Sequence, residues 1–237
     1  MLKKISIILA AALMAATPYL DAQTKTKSKA IILPKVEEFI PVPPAGGTEE
    51  FLLDSVMYQR GKALRVTPRG EVAKADATIS LAYYMERFGA VMGHSINPKD
   101  NPALAKYMKY TYRSARESIV GAKTHFNRMR PYQYFNEPSL IPEDENPKDF
   151  SSYPSGHSVR AWTIALALIN VDPAHQEEIL KTAYDMCMSR IIAGYHYKSD
   201  IDGAIMAASA AYSRLSTKKE FRKMQDAAIA EFNNHTK

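Results

Sequence analysis

An all-α, single-domain helical bundle is the fold this sequence predicts, and three observations carry the expectation. The 237 residues are 46% hydrophobic and 24% charged, the ordinary globular range and enough for one sizeable core. Apolar residues recur at helical spacing through the chain after residue 48. Strand-like alternation is nearly absent.

The elements follow in order. Lys3 and Lys4 precede an apolar run from Ile5 to Ala16, and small residues near Ala22 complete the pattern of a cleavable secretory signal over 1–22. The run is shorter than the roughly 20 residues of a spanning helix, and no cysteine stands there to carry a lipid. A periplasmic or secreted protein with no membrane span after cleavage is expected. Residues 23–47 form an extended N-terminal segment: Lys alternates with polar residues over 24–29, and Pro34, Pro41, Pro43, Pro44, Gly46 and Gly47 follow. The packed domain is expected over 48–237. Helices are predicted at about 49–60, 71–90, 101–124, 157–170, 174–193, 199–216 and 218–232. The 132–153 segment, with Pro138, Pro142 and Pro147, reads as a long loop of the kind that is functional or disordered.

Charge and cysteine content narrow the classes. Losing the signal removes Lys3, Lys4 and Asp21 and takes the formal charge from +6 to +5, an excess that suits a small anionic substrate and does not imply nucleic acid. Cys187 is the single cysteine, so no internal disulfide can form. His94, His125, His175 and His235 lack partners at metal-ligand spacing, and no metal site is expected.

Three segments concentrate polar chemistry. Lys123 and Arg130 lie seven residues apart, two turns of a helix, which would bring both cations to one face and one anion; a solvated basic face has the same pattern. Pro154-Ser155-Gly156-His157 precedes an apolar helix, so free N–H groups and the positive end of the dipole would meet there, with Gly156 allowing close approach and Ser155 able to cap and donate. The same turn is an ordinary helix start. Ser189-Arg190 is followed by His196 and, four residues on, Asp200, a carboxylate that can fix one ring nitrogen and leave the other free to attack, or merely satisfy a surface histidine. Tyr132, Tyr134 and Tyr153 are candidates for a pocket mouth.

Read together, the segments give Lys-x6-Arg-Pro, Pro-Ser-Gly-His and Ser-Arg-x5-His-x3-Asp in one order. This resembles the phosphatidic acid phosphatase type 2 superfamily, which joins bacterial non-specific acid phosphatases, lipid phosphatases and vanadium haloperoxidases. The stretch from Ser151 to Ser158 is most similar to the class A bacterial acid phosphatases, which carry Gly-Ser-Tyr-Pro-Ser-Gly-His-Thr; the two serines at its ends are departures. The similarity covers roughly residues 103–214. It implies an all-α fold of the acid phosphatase and haloperoxidase type, and an exported enzyme that hydrolyses phosphate monoesters of broad range through a phosphohistidine. By matched position it implies His196 as nucleophile, His157 as general acid starting protonated, Asp200 as partner of His196, and Lys123, Arg130, Arg190, Ser155 and the Gly156 amide as phosphate ligands. No cofactor is implied, although vanadate could occupy the phosphate site. A vanadate-dependent haloperoxidase, a lipid phosphatase and a non-catalytic phosphate-binding protein are the alternatives, and self-association into a homo-oligomer is compatible with the family.

Overall fold

The computed structural model describes residues 32–235; the signal expected at 1–22 and the N-terminal segment up to residue 31 lie outside them. The described residues form ten α-helices with three 3-10 turns and no strand, a single helical bundle as the apolar periodicity predicts. None of these helices is long and apolar enough to cross a membrane.

Packing begins ahead of Thr48. Residues 32–48 are mostly irregular, but a 3-10 turn at Val36–Glu38 sets Val36 and Ile40 into the core beside Ile119, Ala122 and Tyr153. The Tyr153 hydroxyl donates to Pro41 O at 2.7 Å, so this segment is tied down from inside the domain.

Helices α1 (Glu49–Leu64), α2 (Pro68–Ala75) and α3 (Leu81–Met92) each start on a side-chain cap, Thr48, Thr67 and Ser80. The single helix predicted over about 71–90 is therefore two. The chain leaves the helix at Asp76 and re-enters after Ser80, because the Ser80 hydroxyl accepts from Tyr83 N and the Asp76 carboxylate is drawn inward by Ser189 Oγ at 2.5 Å and the Tyr83 hydroxyl at 2.7 Å. This break puts the carbonyls of Ala77 and Ile79 at the functional cavity.

The helix predicted over about 101–124 also divides, into α4 (Pro102–Ser118) and α5 (Val120–Phe126), at the buried Ile119. Helix α5 then stops at Asn127, which takes the left-handed conformation at φ 45° that asparagine tolerates. A short α6 (Pro131–Tyr134) opens the 132–153 segment, which is otherwise irregular apart from a 3-10 turn at Pro142–Asp144. Hydrogen bonds from Tyr132 to Asn146 O and from Leu140 N to Ala193 O hold it.

At the centre lies α7 (Gly156–Leu168), packed against α4, α8 (Gln176–Ile192) and α9 (Lys198–Ser216), while α10 (Lys219–His235) covers α4. Helix α7 is buried along most of its length, with only Trp162 and Leu166 partly exposed beyond its first turn, and its sequence is correspondingly apolar. Small side chains permit the close approach: Ala204, Ala207, Ala208 and Ala211 of α9 meet Val159 and Tyr153. At Gly203 a Cβ would fall 2.6 Å from the Tyr153 hydroxyl, so only glycine lets α9 lie so near the turn that precedes α7.

Candidate active site

A cavity of about 400 Å³ opens where the ends of α5, α7 and α8 meet the residues before α9. Lys123, Arg130, Gly156, His157, Arg190 and His196 line it, six of the eight residues selected from sequence. Ser155 and Asp200 are fully buried behind its wall. Tyr132, Tyr134 and Tyr153 do not line it; Tyr195 does.

Lys123 and Arg130 reach the cavity by a different route from the one their spacing predicts. They do not share a helix face, because the left-handed turn at Asn127 ends α5 between them and Arg130 becomes the N-cap of α6. The Lys123 ammonium donates to Ser151 O, and burial followed by repulsion from Arg130 pulls its pKa down to about 8. Arg130 is held at four points: Nε to Asp149 Oδ2 at 2.8 Å, Nη1 to Tyr195 O at 3.0 Å, Nη1 within 3.3 Å of His196 Nε2, and Nη2 to Ser151 Oγ at 3.4 Å.

The α7 N-terminus forms the second wall. Ser155 Oγ accepts from Ser158 N at 3.3 Å and Ser158 Oγ at 2.9 Å, so it caps the helix, while Gly156 at the first helical position offers an N–H that has no intrahelical partner. Ser155 N donates to Asp200 O at 3.1 Å and ties this turn to α9. His157 Nε2 lies 3.2 Å from Ala77 O. A carbonyl only accepts, so Nε2 carries the proton and Nδ1 of the neutral ring is a base. Burial, then the charges of Arg190 and His196, hold His157 well below the usual histidine range. These surroundings favour the neutral ring, and the protonated His157 expected at the start of the reaction calls for an anion beside it.

Arg190, in the last turn of α8, is 3% exposed, and its Nε and Nη1 have no hydrogen-bond partner among the described residues. Its guanidinium lies over the Tyr195 ring at 5.0 Å. Burial brings its pKa down to about 10 against the opposing influence of Tyr84. Leaving a buried charged donor unsatisfied costs about 1–3 kcal/mol or more, so the site is built around a missing acceptor.

His196 stands just before the N-cap of α9, and its Nδ1 is 3.2 Å from Asp200 Oδ2. Asp200 is crowded with donors: Ser152 Oγ at 2.6 Å and Tyr197 N at 2.9 Å on Oδ2, and Arg128 Nη1 at 2.5 Å on Oδ1. Burial opposes its ionisation, but Arg128, then the bond from His196, hold it below the usual carboxylate range. An ionised Asp200 can only accept, so the His196 proton sits on Nδ1 and the Nε2 lone pair is presented to the cavity. Burial, partly countered by Asp200, lowers the His196 pKa to about 3, which keeps the ring neutral.

Sequence reasoning missed two residues that matter here. Arg128, two residues before Arg130, is buried and bridges Asp200 to Asp54 of α1, the latter at 2.7 Å. Arg160 also lines the cavity, and its only signal was its place three residues after His157 on α7. Among the described residues no group of three or more His, Cys, Asp or Glu side chains is placed to hold a metal ion.

Comparison with known proteins agrees with the geometry. The PAP2 superfamily model matches residues 107–222, which span α4 to α10 and include both histidines. A non-specific acid phosphatase of Providencia stuartii is 35% identical over 81% of this chain and 79% of its own length. A non-specific acid phosphatase of Salmonella typhi is 33% identical over 78% and 75%, and an acid phosphatase of Zymomonas mobilis is 28% identical over 81% and 74%.

Proposed function

This chain belongs to the PAP2 superfamily, among its bacterial non-specific acid phosphatases, and we propose that it hydrolyses phosphate monoesters through a phosphohistidine on His196. It is a phosphomonoesterase of the acid phosphatase type. One observation supports the covalent route above the others: the unprotonated Nε2 of His196 faces a cavity in which the buried Arg190 guanidinium has no protein acceptor.

A phosphate monoester is a stable anion, and its equatorial oxygens must be neutralised before a neutral nucleophile can approach in line. Lys123, Arg130 and Arg190 supply three positive charges around the cavity, and the α7 N-terminus adds the Gly156 N–H and the helix dipole. His196 Nε2 attacks phosphorus while Asp200 accepts the Nδ1 proton's hydrogen bond and stabilises the positive charge that develops on the ring. The ester P–O bond breaks, and His157 gives a proton to the departing oxygen. That proton resides on Nδ1, since Nε2 is committed to Ala77 O. Binding of the phosphate dianion beside His157 offsets the charge of Arg190 and draws the proton on. In the second step His157 takes a proton from water, which attacks the phosphohistidine and releases phosphate; the proton then leaves His157 as the anion departs, which returns the ring to neutral.

No step calls on a metal or cofactor, and broad substrate range follows if the phosphate cradle, rather than the leaving-group contacts, carries most of the binding. Export to the periplasm or exterior is part of the same reading, resting on Lys3, Lys4 and the apolar run from Ile5 to Ala16. The deciding experiment is a rapid quench into alkaline detergent during turnover of a radiolabelled aryl phosphate. Wild type should yield an acid-labile, base-stable phosphoenzyme, and His196→Ala none. Trapped label on the His196→Ala protein would move the nucleophile elsewhere, and a chelator that abolishes turnover would overturn the metal-free mechanism.

A further inference from the structure

The cavity carries more positive charge than one transferred phosphoryl group requires. Beside Lys123, Arg130 and Arg190 it is lined by Arg160 and by the exposed Arg116, against Asp144 and Asp149. Asp149 is already engaged by Arg130 at 2.8 Å. Arg160 lies on α7 three residues after His157, which makes the two side chains neighbours on one helix face. Both are anchored to the break between α2 and α3, His157 through Ala77 O at 3.2 Å and Arg160 Nη1 through Ile79 O at 2.5 Å.

Arg160 is held but not neutralised. It is 7% exposed, its guanidinium lies over the rings of Tyr112 at 4.7 Å and Tyr84 at 5.8 Å, and its Nε has no hydrogen-bond partner among the described residues. Aromatic faces and one carbonyl fix the group in place without cancelling its charge. A buried guanidinium kept in this condition, opening on a ligand cavity, is explained by an acceptor that arrives with the ligand. The cavity, at about 400 Å³, has room for a second anionic group beyond the phosphoryl oxygens.

We propose that Arg160 forms a second anion subsite on the leaving-group side of the cavity, so that the enzyme favours phosphate esters whose leaving group carries a further carboxylate or phosphate a few atoms from the ester oxygen. The side follows from the preceding reading, on which this inference rests: His157 faces the leaving group, and Arg160 is one helical turn beyond it. The charge of Arg160 is also one of those that press down on His157, so an anion docked there helps the general acid keep its proton.

Three short substrates separate the contributions: ethyl phosphate, 2-phosphoglycolate and ethylene glycol bisphosphate. With the purified full chain, kcat/KM on each is measured for wild type, Arg160→Met and Arg160→Lys. Wild type should prefer the two doubly anionic substrates by about tenfold or more, the worth of one charge-assisted hydrogen bond in a desolvated site. Arg160→Met should bring the ratio to within about twofold of parity, and Arg160→Lys should keep part of the preference. A preference confined to the bisphosphate would assign the subsite to phosphate alone, and one confined to phosphoglycolate to a carboxylate; either supports it. Turnover of all three with no preference in wild type, or a preference that survives in Arg160→Met, overturns the subsite and leaves the phosphatase reading standing. Where Arg160→Met fails to fold, the comparison of wild type with Arg160→Lys decides: an unreduced preference in Arg160→Lys overturns the subsite and a partial loss supports it. No turnover of any of the three would sink both.

Discussion

Arg128 and Asp200 meet at 2.5 Å in the protein interior, and Asp54 closes the other end of the same guanidinium at 2.7 Å. Ser199 joins them, its N–H and hydroxyl both donating to Asp54 and its oxygen accepting from Arg128. The carboxylate that orients His196 is thus fixed by α1 and by the turn after α5, residues far from it in sequence. Removing Arg128 would leave two buried carboxylates uncompensated, so Arg128→Leu should lose about 3–5 kcal/mol in denaturant unfolding. In whatever fraction stays folded, kcat should fall more than KM rises, since Lys123, Arg130 and Arg190 still bind phosphate. A loss of under about 1 kcal/mol would show that the pair is not the anchor its geometry indicates.

Arg190 separates stability from activity. Two of its nitrogens are buried without partners among the described residues, so its contact with the Tyr195 ring is set against the cost of burying its charge. Arg190→Met should leave thermal stability unchanged or raised, while kcat/KM falls about 10²–10³ through loss of a transition-state donor. Clear destabilisation would mean that Arg190 serves the fold.

Phosphate should stabilise the enzyme by supplying that missing acceptor. At a hundredfold excess over its Kd, the increment is about 2.7 kcal/mol, visible as a rise in melting temperature, and orthovanadate should act in the same way. The rise should shrink sharply in Arg190→Met. An equal rise in both proteins would place the anion elsewhere.

The histidines set the pH response. The folded pKa of His196 is about 3 and that of His157 is also depressed, whereas the unfolded chain titrates near 6.5. Below about pH 6.5 the unfolded state takes up protons that the folded state refuses, so stability declines as pH falls towards the folded values. Asp200 acts with them: its contribution, present above its unfolded pKa of about 3.9, is lost as pH falls towards its lower folded value. His157→Gln should flatten the decline of melting temperature between about pH 7 and 5. For catalysis, a nucleophile that stays neutral down to about 3 leaves kcat/KM high on the acidic side, with the fall at rising pH set by loss of the His157 proton. A profile that rises through neutrality to an alkaline maximum would contradict both assignments.

Gly203 tests the packing behind the site. A methyl group there would meet the Tyr153 hydroxyl at 2.6 Å and its ring at 2.7–2.9 Å, and that hydroxyl is fixed on Pro41 O. Gly203→Ala should therefore cost about 1–3 kcal/mol and perturb the turn that carries Ser155, Gly156 and His157. A neutral substitution would show that Tyr153 moves freely.

The helices were legible wherever one face alone had to be buried, as in α9 and α10, because a 3.6-residue period depends only on neighbours along the chain. Their breaks were not. Asp76 leaves the helical pattern because Ser189 and Tyr83 draw its carboxylate inward, and no local signal announces partners in another helix. Arg128 and Arg160 were passed over for the same reason: a buried arginine and a solvated one look alike in a sequence.

The chemistry available is written in residue type and short spacing: three cations, two histidines, a carboxylate four residues after one of them, and a glycine turn at a helix start. The states of those groups come from the fold. Burial turned both histidines against the charged form, left Arg190 and Arg160 short of acceptors among the described residues, and Arg128 held Asp200 as an anion. Ionisation and hydrogen-bond satisfaction depend on which groups exclude water from one another, and that is settled by contacts between segments far apart in the chain.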